Sequence, residues 1–333
     1  MMTSQLSALT LDWSPDWAAI FGTPRPLIVE IGFGRGVFLA HLARTHPDHN
    51  IIGFEISNRS LEAAERLIVH ERLSNVRVVH STGETALAHL LTPASVQHFH
   101  INFPDPWFKT RHRHRRLMRR DIVDAIVSRL AAGGMLYLAT DIQEYAEMSS
   151  QLLMNTPGLT NTLHAPFVYE MPGRVITKYE ATAIREGRAC HYFAYQRNAR
   201  SAPFIPVIEE LPMAHLVFSS PLSLDDMFAA FKSAVMGQHS DDNLHIHLMA
   251  AYRGTDDAIL VETSISEPTI NQHIALQILG RWRAGHEGEY TIQVSPLGHP
   301  RMTDGVHRAV ALLGERVLAL HPDAHKLHDK LRG

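Results

Sequence analysis

The chain has a single cysteine, Cys190, among 333 residues. It therefore cannot form an internal disulfide, a Cys-x-x-Cys redox pair or a multi-cysteine zinc site, and Cys190 reads as an inert core residue. Long apolar runs are missing too, since no stretch approaches the ~18 consecutive apolar residues of a membrane-spanning helix. The first charged residues are Asp12 and Asp16, opposite in sign to the basic start of a secretory signal. Charged residues are few at 20%, while apolar ones reach 45%, a balance that excludes disorder and fibrous repeats and fits a packed globular protein. A cytoplasmic protein with no membrane partner is expected. Its length exceeds the ~250–300 residues at which single cores stop growing, so two domains are expected.

What is present is unevenly spread. Residues 1–200 carry 21 Lys and Arg against 18 Asp and Glu, a net +3, whereas residues 201–333 carry 10 against 16, a net −6. The break falls at Asn198-Ala199-Arg200-Ser201-Ala202-Pro203, a small and polar stretch that reads as a linker between domains 1–200 and 201–333. Within the first half, Lys109, Arg111, Arg113, Arg115, Arg116, Arg119 and Arg120 put seven cations into twelve residues with no acid among them. A phosphate-rich partner is the natural counterpart of such a strip.

From Leu27 to Thr140, apolar runs alternate with helical periodicity, the pattern of a mostly parallel sheet with helices on both faces. Strands are predicted at 27–31, 51–54, 76–79, 97–103 and 135–139, with helices after the first, second, fourth and fifth. Beyond the linker the order reads strand (215–219), helix (223–236), strands (244–251 and 258–264), helix (269–281), strand (290–294) and helix (304–318). The first six fit a ferredoxin-like split βαβ arrangement, an α+β accessory domain.

The first strand ends in Glu30-Ile31-Gly32-Phe33-Gly34-Arg35-Gly36, and Glu55 closes the next. Gly32, Gly34 and Gly36 let the backbone approach a nucleotide-like ligand closely, and an acid at the tip of the second strand can hold both ribose hydroxyls. Val37 stands where a dinucleotide fingerprint needs its third glycine, so a cofactor without a pyrophosphate fits better, with S-adenosylmethionine the leading candidate. Glu30 then lies near the cofactor's positive end or orients the turn. At the same sheet edge, Asn102-Phe103-Pro104-Asp105-Pro106-Trp107 leaves the fourth strand, two prolines holding Asp105 forward and Trp107 offering a stacking surface. Asp141 ends the fifth strand.

These segments, with Lys109, Arg111-His112, Arg115-Arg116, Ala139-Thr140-Asp141 and Thr177-Lys178-Tyr179-Glu180, together resemble the bacterial tRNA (guanine-N7)-methyltransferase family over roughly residues 25–198. The resemblance implies a class I methyltransferase fold (Rossmann-like), S-adenosylmethionine as donor and a guanine of the tRNA variable loop as acceptor. It further implies that Glu30 and Glu55 bind the cofactor, that Asp105 is the active-site acid, and that Lys109, Asp141 and the Thr177–Glu180 segment, with Thr177, Lys178 and Glu180 foremost, contact substrate. The family commonly has an acid after the third strand; Ser81 and Thr82 stand there here. Phe108 also replaces a histidine often found after the tryptophan, and the acidic second half lies outside the usual bacterial pattern.

Guanine N7 is a lone-pair acceptor with no proton to lose, so methyl transfer needs alignment more than a general base. Positive charge passes to the purine, where Asp105 and Asp141 would stabilise it, with Glu180 a second candidate for reading the base. Arg111, Arg115 and Arg116 would hold backbone phosphates. The chain's 23 histidines, His245 and His247 on one strand face among them, do not compose a ligand set, and no metal is expected. An NAD-type oxidoreductase and an inactive RNA-binding scaffold are the alternatives; the glycine spacing argues against the first, and the retained site acids against the second.

Overall fold

The computed structural model describes residues 5–107, 115–233, 237–254, 257–281 and 285–332. Lys109, Arg111 and Arg113 of the basic strip lie outside the described residues. The chain divides into two compact units, Met1–Ile208 and Glu209–Gly333. The division falls beyond the expected linker because residues 205–208 still pack on the first unit: Arg129, fully buried, donates Nη1 to the Ile205 carbonyl at 2.5 Å and Nη2 to that of Pro206 at 3.3 Å.

The first unit runs β1 (Gln5–Ser7), α1 (Trp17–Phe21), β2 (Leu27–Ile31), α2 (Val37–Thr45), β3 (Asn50–Glu55), α3 (Asn58–Glu71), β4 (Val76–His80), α4 (Gly83–Thr85) leading into a π-helical turn at Ala86–Leu90, β5 (Val96–Asn102), α5 (Arg120–Arg129), β6 (Leu130–Thr140), α6 (Gln143–Met154), β7 (Leu159–Asn161), α7 (Lys178–Arg185) and β8 (His191–Arg197). The strands form one sheet in the order β1-β4-β3-β2-β5-β6-β8-β7, parallel from β1 to β6 and antiparallel at β8 and β7. Strand order reverses between β2 and β5, and in such sheets the crevice outside the carboxyl ends at that reversal receives the ligand.

Helices cover both faces. α3 begins where Ser57 Oγ accepts from the Ser60 amide at 3.3 Å, buries the stripe Leu61, Ala64 and Ile68, and ends as Arg72 turns left-handed. That stripe joins Leu39 and Leu42 of α2 against Ile28 and Ile51, while Val29, Ile52, Phe99, Ile126 and Leu138 belong to the core on the other face. No helix among the described residues is long and apolar enough to cross a membrane.

The second unit contains β9 (His215–Ser219), α8 (Leu224–Ser233), β10 (Gly237–Ser240), β11 (His245–Arg253), β12 (Ala258–Glu267), β13 (Ile270–Gly280), β14 (Glu289–Val294), α9 (Asp304–Leu318) and β15 (His325–Lys330), with an antiparallel sheet ordered β10-β11-β12-β13-β14-β9-β15. It is α+β, but the ferredoxin-like arrangement is wrong, because the expected helix at 269–281 is strand β13. Ile270, Ile274 and Ile278 recur every fourth residue, a spacing that suits one helix face and one strand face alike. Gln272 and Leu276 distinguish the two: both are buried, giving period two, and Gln272 donates to the Arg301 carbonyl at 3.0 Å while accepting from the Arg301 amide at 2.7 Å.

Gly36 joins the glycine-rich turn to α2 with φ of 79°, and a Cβ there would lie 2.6 Å from that of Ala64 on α3. Gly36→Ala therefore combines left-handed strain with a backbone clash and should destabilise the first unit by about 1–3 kcal/mol, read as a lower midpoint in urea unfolding. An unchanged midpoint would show that α3 can move aside.

Candidate active site

The crevice at the strand reversal is built from four turns. In the first, Gly32 and Gly34 take φ of 75° and 57°, and the Gly32 amide donates to the Phe54 carbonyl at 2.8 Å, closing the turn onto β3. Glu55 completes this closure: its Oε2 accepts from the Gly34 amide at 3.0 Å, and its Oε1 from the Ile56 and Ser57 amides at 2.8 and 3.0 Å. Charge-assisted hydrogen bonds of this kind contribute about 1.5–3 kcal/mol each, so Glu55 shapes the crevice as well as lining it. In the third turn Ser81 Oγ donates to the Thr82 carbonyl at 3.0 Å, and Thr82 Oγ1 accepts from the Thr85 amide at 3.0 Å. Both hydroxyls thus serve the turn.

The fourth turn follows β5. Phe103 and Trp107 hold positive φ of 53° and 41°, a strained conformation for side chains of that size, and it persists because surrounding bonds fix it. The Phe103 amide donates to the Ala139 carbonyl at 2.8 Å, Arg116 Nε donates to the carbonyls of Pro106 and Trp107 at 3.0 and 3.2 Å, and the Arg115 guanidinium lies 5.1 Å from the Trp107 ring centroid. Between these fixed ends Asp105 is exposed.

Two cavities open at this edge. The larger, of about 570 Å³, is lined by Gly32, Gly34, Glu55, Ser81, Thr82, Asp105, Trp107, Arg115, Asp141 and Arg188. The smaller, of about 220 Å³, is lined by Glu30, Gly32, Gly34, Asn102, Thr177 and Lys178, with Arg35, Arg59 and Arg66 on its rim. Phe103 and Tyr179 border both. Beneath them Glu30 is 1% exposed; Asn102 Nδ2 donates to its Oε1 at 2.9 Å, and Oε2 has no hydrogen-bond partner among the described residues. Burial pushes this carboxyl up to about 7, against the Asn102 hydrogen bond and the Arg174 guanidinium, which hold it down.

Several sequence expectations change. Gly36 lines neither cavity and serves the packing of α2 on α3. Glu180 also serves the fold: it is 5% exposed, accepts from the Thr177 amide at 3.2 Å in the capping box of α7, and accepts from Tyr192 Oη at 2.6 Å. Thr177 is that helix's N-cap and borders the smaller cavity with Lys178. Asp141 is ion-paired to Arg188. The basic strip is also less free than its sequence implies, because acids distant in sequence or downstream return to it: Arg119 pairs with Glu84 at 3.2 Å and Asp121 at 2.9 Å, and Arg120 with Asp124 at 3.6 Å. Sequence reasoning overlooked Asn102 as a site residue, Arg174 and the arginine rim; the Pro172-Gly173-Arg174 turn just before the capping box was the one local signal for Arg174.

The residues present suit S-adenosylmethionine. A cavity floored by a buried carboxyl oxygen without a partner among the described residues matches a cationic ligand, and the Glu55 turn matches the adenosine end. The fold and this edge define an S-adenosylmethionine-dependent methyltransferase with a Rossmann-like sheet. Residues 24–193 match the methyltransferase family Methyltransf_4. A tRNA (guanine-N(7)-)-methyltransferase of Burkholderia cenocepacia is 38% identical over 185 residues, covering 56% of this chain and 72% of that protein. The Thermus thermophilus protein of the same name is 33% identical over 307 residues, 92% of this chain and 94% of its own length, a match extending well into the second unit. Among solved structures, the 16S rRNA methyltransferase KamB aligns with a TM-score of 0.42 at 12% identity over 55% of this chain and 92% of that one, too slight a likeness to bear on function. The chain belongs to the tRNA (guanine-N7)-methyltransferase family. The oxidoreductase alternative falls with that membership.

Because the Glu30 carboxyl is raised in the folded state, its protonated form favours folding. That contribution is complete below the unfolded value of 4.5 and is lost as pH rises through about 7. Glu30→Gln keeps an acceptor for Asn102 and removes the ionisation. It should abolish a stability difference of roughly 3 kcal/mol between pH 4.5 and 8, measured by urea unfolding of wild type and variant. Parallel pH profiles would rule out a neutral Glu30 in the folded protein.

Proposed function

We propose that the protein methylates N7 of a guanine in the variable loop of tRNA, acting in the cytoplasm. The observation that carries this reading is the meeting of the glycine turn, Glu55 and the Asp105 loop around one crevice at the strand reversal. The cofactor supplies an electrophilic methyl on a sulfonium sulfur. Glu30, once ionised, balances positive charge beside the smaller cavity, and the Glu55 turn orients the nucleoside end. Asp105 waits at the acceptor side, where its carboxylate accepts hydrogen bonds from guanine N–H donors and stabilises the charge that develops on the ring. Trp107, held by Arg115, offers a face for the base. Asp141 acts as a pair with Arg188, presenting less net charge to substrate than a lone carboxylate. No residue has to take a proton from N7.

Asp105→Ala should reduce methyl transfer about 10²–10³-fold while leaving S-adenosylmethionine affinity unchanged, since its role lies with the acceptor. Digestion of tRNA after turnover should yield 7-methylguanosine in wild-type reactions. A methylated nucleoside of another kind overturns the assignment of the product, and a fully active variant removes Asp105 from the mechanism.

Phosphate binding is assigned to Arg115 and to the exposed Arg35, Arg59 and Lys178, which line the two cavities, and by sequence to Lys109 and Arg111, which lie outside the described residues. Arg35→Gln with Arg59→Gln should weaken tRNA binding and make its salt dependence shallower, by about 0.7–0.9 in log–log slope for each phosphate no longer neutralised. Superimposable salt titrations of wild type and variant would place the RNA elsewhere. Arg116→Gln should act differently, lowering turnover through the Asp105 loop with the salt slope unchanged.

A further inference from the structure

Between Val168, bridged to Tyr192 of β8, and Thr177, the N-cap of α7, the chain passes over the α2 side of the crevice and then supplies Thr177, Lys178 and Tyr179 to the smaller cavity. Val168, Met171 and Val175 pack this strap against the core, and polar ties are added near its middle. The Gly173 carbonyl lies 3.0 Å from His41 Nε2, and Arg174 inserts between the Phe38 and Tyr192 rings, 4.6 and 5.2 Å from their centroids. Its Nη2 donates to Asn102 Oδ1 at 2.8 Å, and Asn102 Nδ2 in turn donates to Glu30 Oε1 at 2.9 Å. The amide of Asn102 thus has its oxygen turned to a cation and its nitrogen to a carboxyl, and it transmits the position of one to the other.

We propose that Arg174 is a positioning residue for cofactor binding, latching the strap that walls the smaller cavity and, through Asn102, holding Glu30 ready for the cationic end of the cofactor. The inference rests on the S-adenosylmethionine reading of the site. The groups that face Glu30 narrow the electrostatics. His100, its register partner on β5, and His41 on α2 are both driven toward neutrality by burial, as is His98 further along β5, down to about 4. Glu55 at the tip of β3 opposes ionisation of Glu30, and Glu180 and Tyr192 surround the far side of Arg174. Arg174 is therefore the cation that favours a charged Glu30, with the Asn102 hydrogen bond acting in the same direction.

Cofactor affinity in the wild type should fall as pH drops through about 7, as Glu30 takes up a proton. Removing Arg174 leaves Glu30 harder to ionise, so the fall should begin at higher pH. The experiment measures S-adenosylmethionine dissociation constants by calorimetry from pH 6 to 9.5 for wild type, Arg174→Met, Arg174→Lys and Asn102→Ala, all as full-length protein with folding checked by circular dichroism. Arg174→Met should move the affinity break upward by about one pH unit, weakening binding up to ~10-fold near neutrality with recovery at high pH. Arg174→Lys, which keeps the charge, should restore most of the wild-type profile. Asn102→Ala should shift the break in the same direction as Arg174→Met and serves where that variant does not fold. A loss of affinity by the same factor at every pH, or no loss, overturns the inference and leaves Arg174 a packing residue. A wild type that binds no S-adenosylmethionine instead overturns the cofactor reading on which the inference stands.

Discussion

The crevice depends on a carboxyl group placed where water cannot reach it. Glu30 is the penultimate residue of β2 at the centre of the sheet, 1% exposed, and a buried carboxylate is tolerated only with hydrogen bonds and a countercharge. Asn102 from β5 provides the first and Arg174 the second. Because those partners come from the neighbouring strand and from the strap before α7, three of the segments around the smaller cavity are held by one buried network. Its answer is incomplete, with one carboxyl oxygen left without a partner among the described residues, which is what a site awaiting a cation requires.

Five carboxylates around this edge have been given five surroundings. Glu30 is buried and hard to ionise; Glu55 has both oxygens engaged by backbone amides; Asp105 stands exposed on a strained loop; Asp141 pairs with Arg188, which also meets Glu186; Glu180 is buried in a helix cap. Residue type alone would make them interchangeable. Their environments divide them into a charge balancer, a turn former, an acceptor-side carboxylate, an ion-pair partner and a capping residue, and Asp105 is the exposed one on the strained loop.

Most of the sheet edge was legible because buried parallel strands leave an uninterrupted apolar signature: Leu27–Ile31 is marked to the residue, and the turns after it are signalled by glycine, proline and acid. Asp105 and Glu55 could be placed at that edge for the same reason. The rest depended on partners far apart in sequence. Nothing near Arg174 announces Asn102, 72 residues earlier, and nothing near Arg119 announces Glu84. In β13 the failure was one of period, since isoleucines four residues apart satisfy a helix and a strand equally, and the deciding residue, Gln272, is polar and would be assigned to the solvent face of either. The capping role of Glu180 escapes a sequence reading because a capping acid and a substrate-reading acid look alike there.

The same reuse of charge bears on how a protein with a formal net charge of −3 grips a polyanion. In the described part of the basic strip, Arg116 fastens the Asp105 loop and Arg119 and Arg120 meet acids, so their first effect is on the shape of the site. An arginine whose donors are taken by backbone carbonyls retains its charge but has fewer donors for a bidentate phosphate interaction. Geometry and affinity then rest on different cations: those that build the loop fix where the acceptor base goes, while the exposed Arg35, Arg59 and Lys178 add attraction without disturbing it. A long-range field needs only net positive charge near the site, since at physiological ionic strength charges beyond about 8 Å are largely screened.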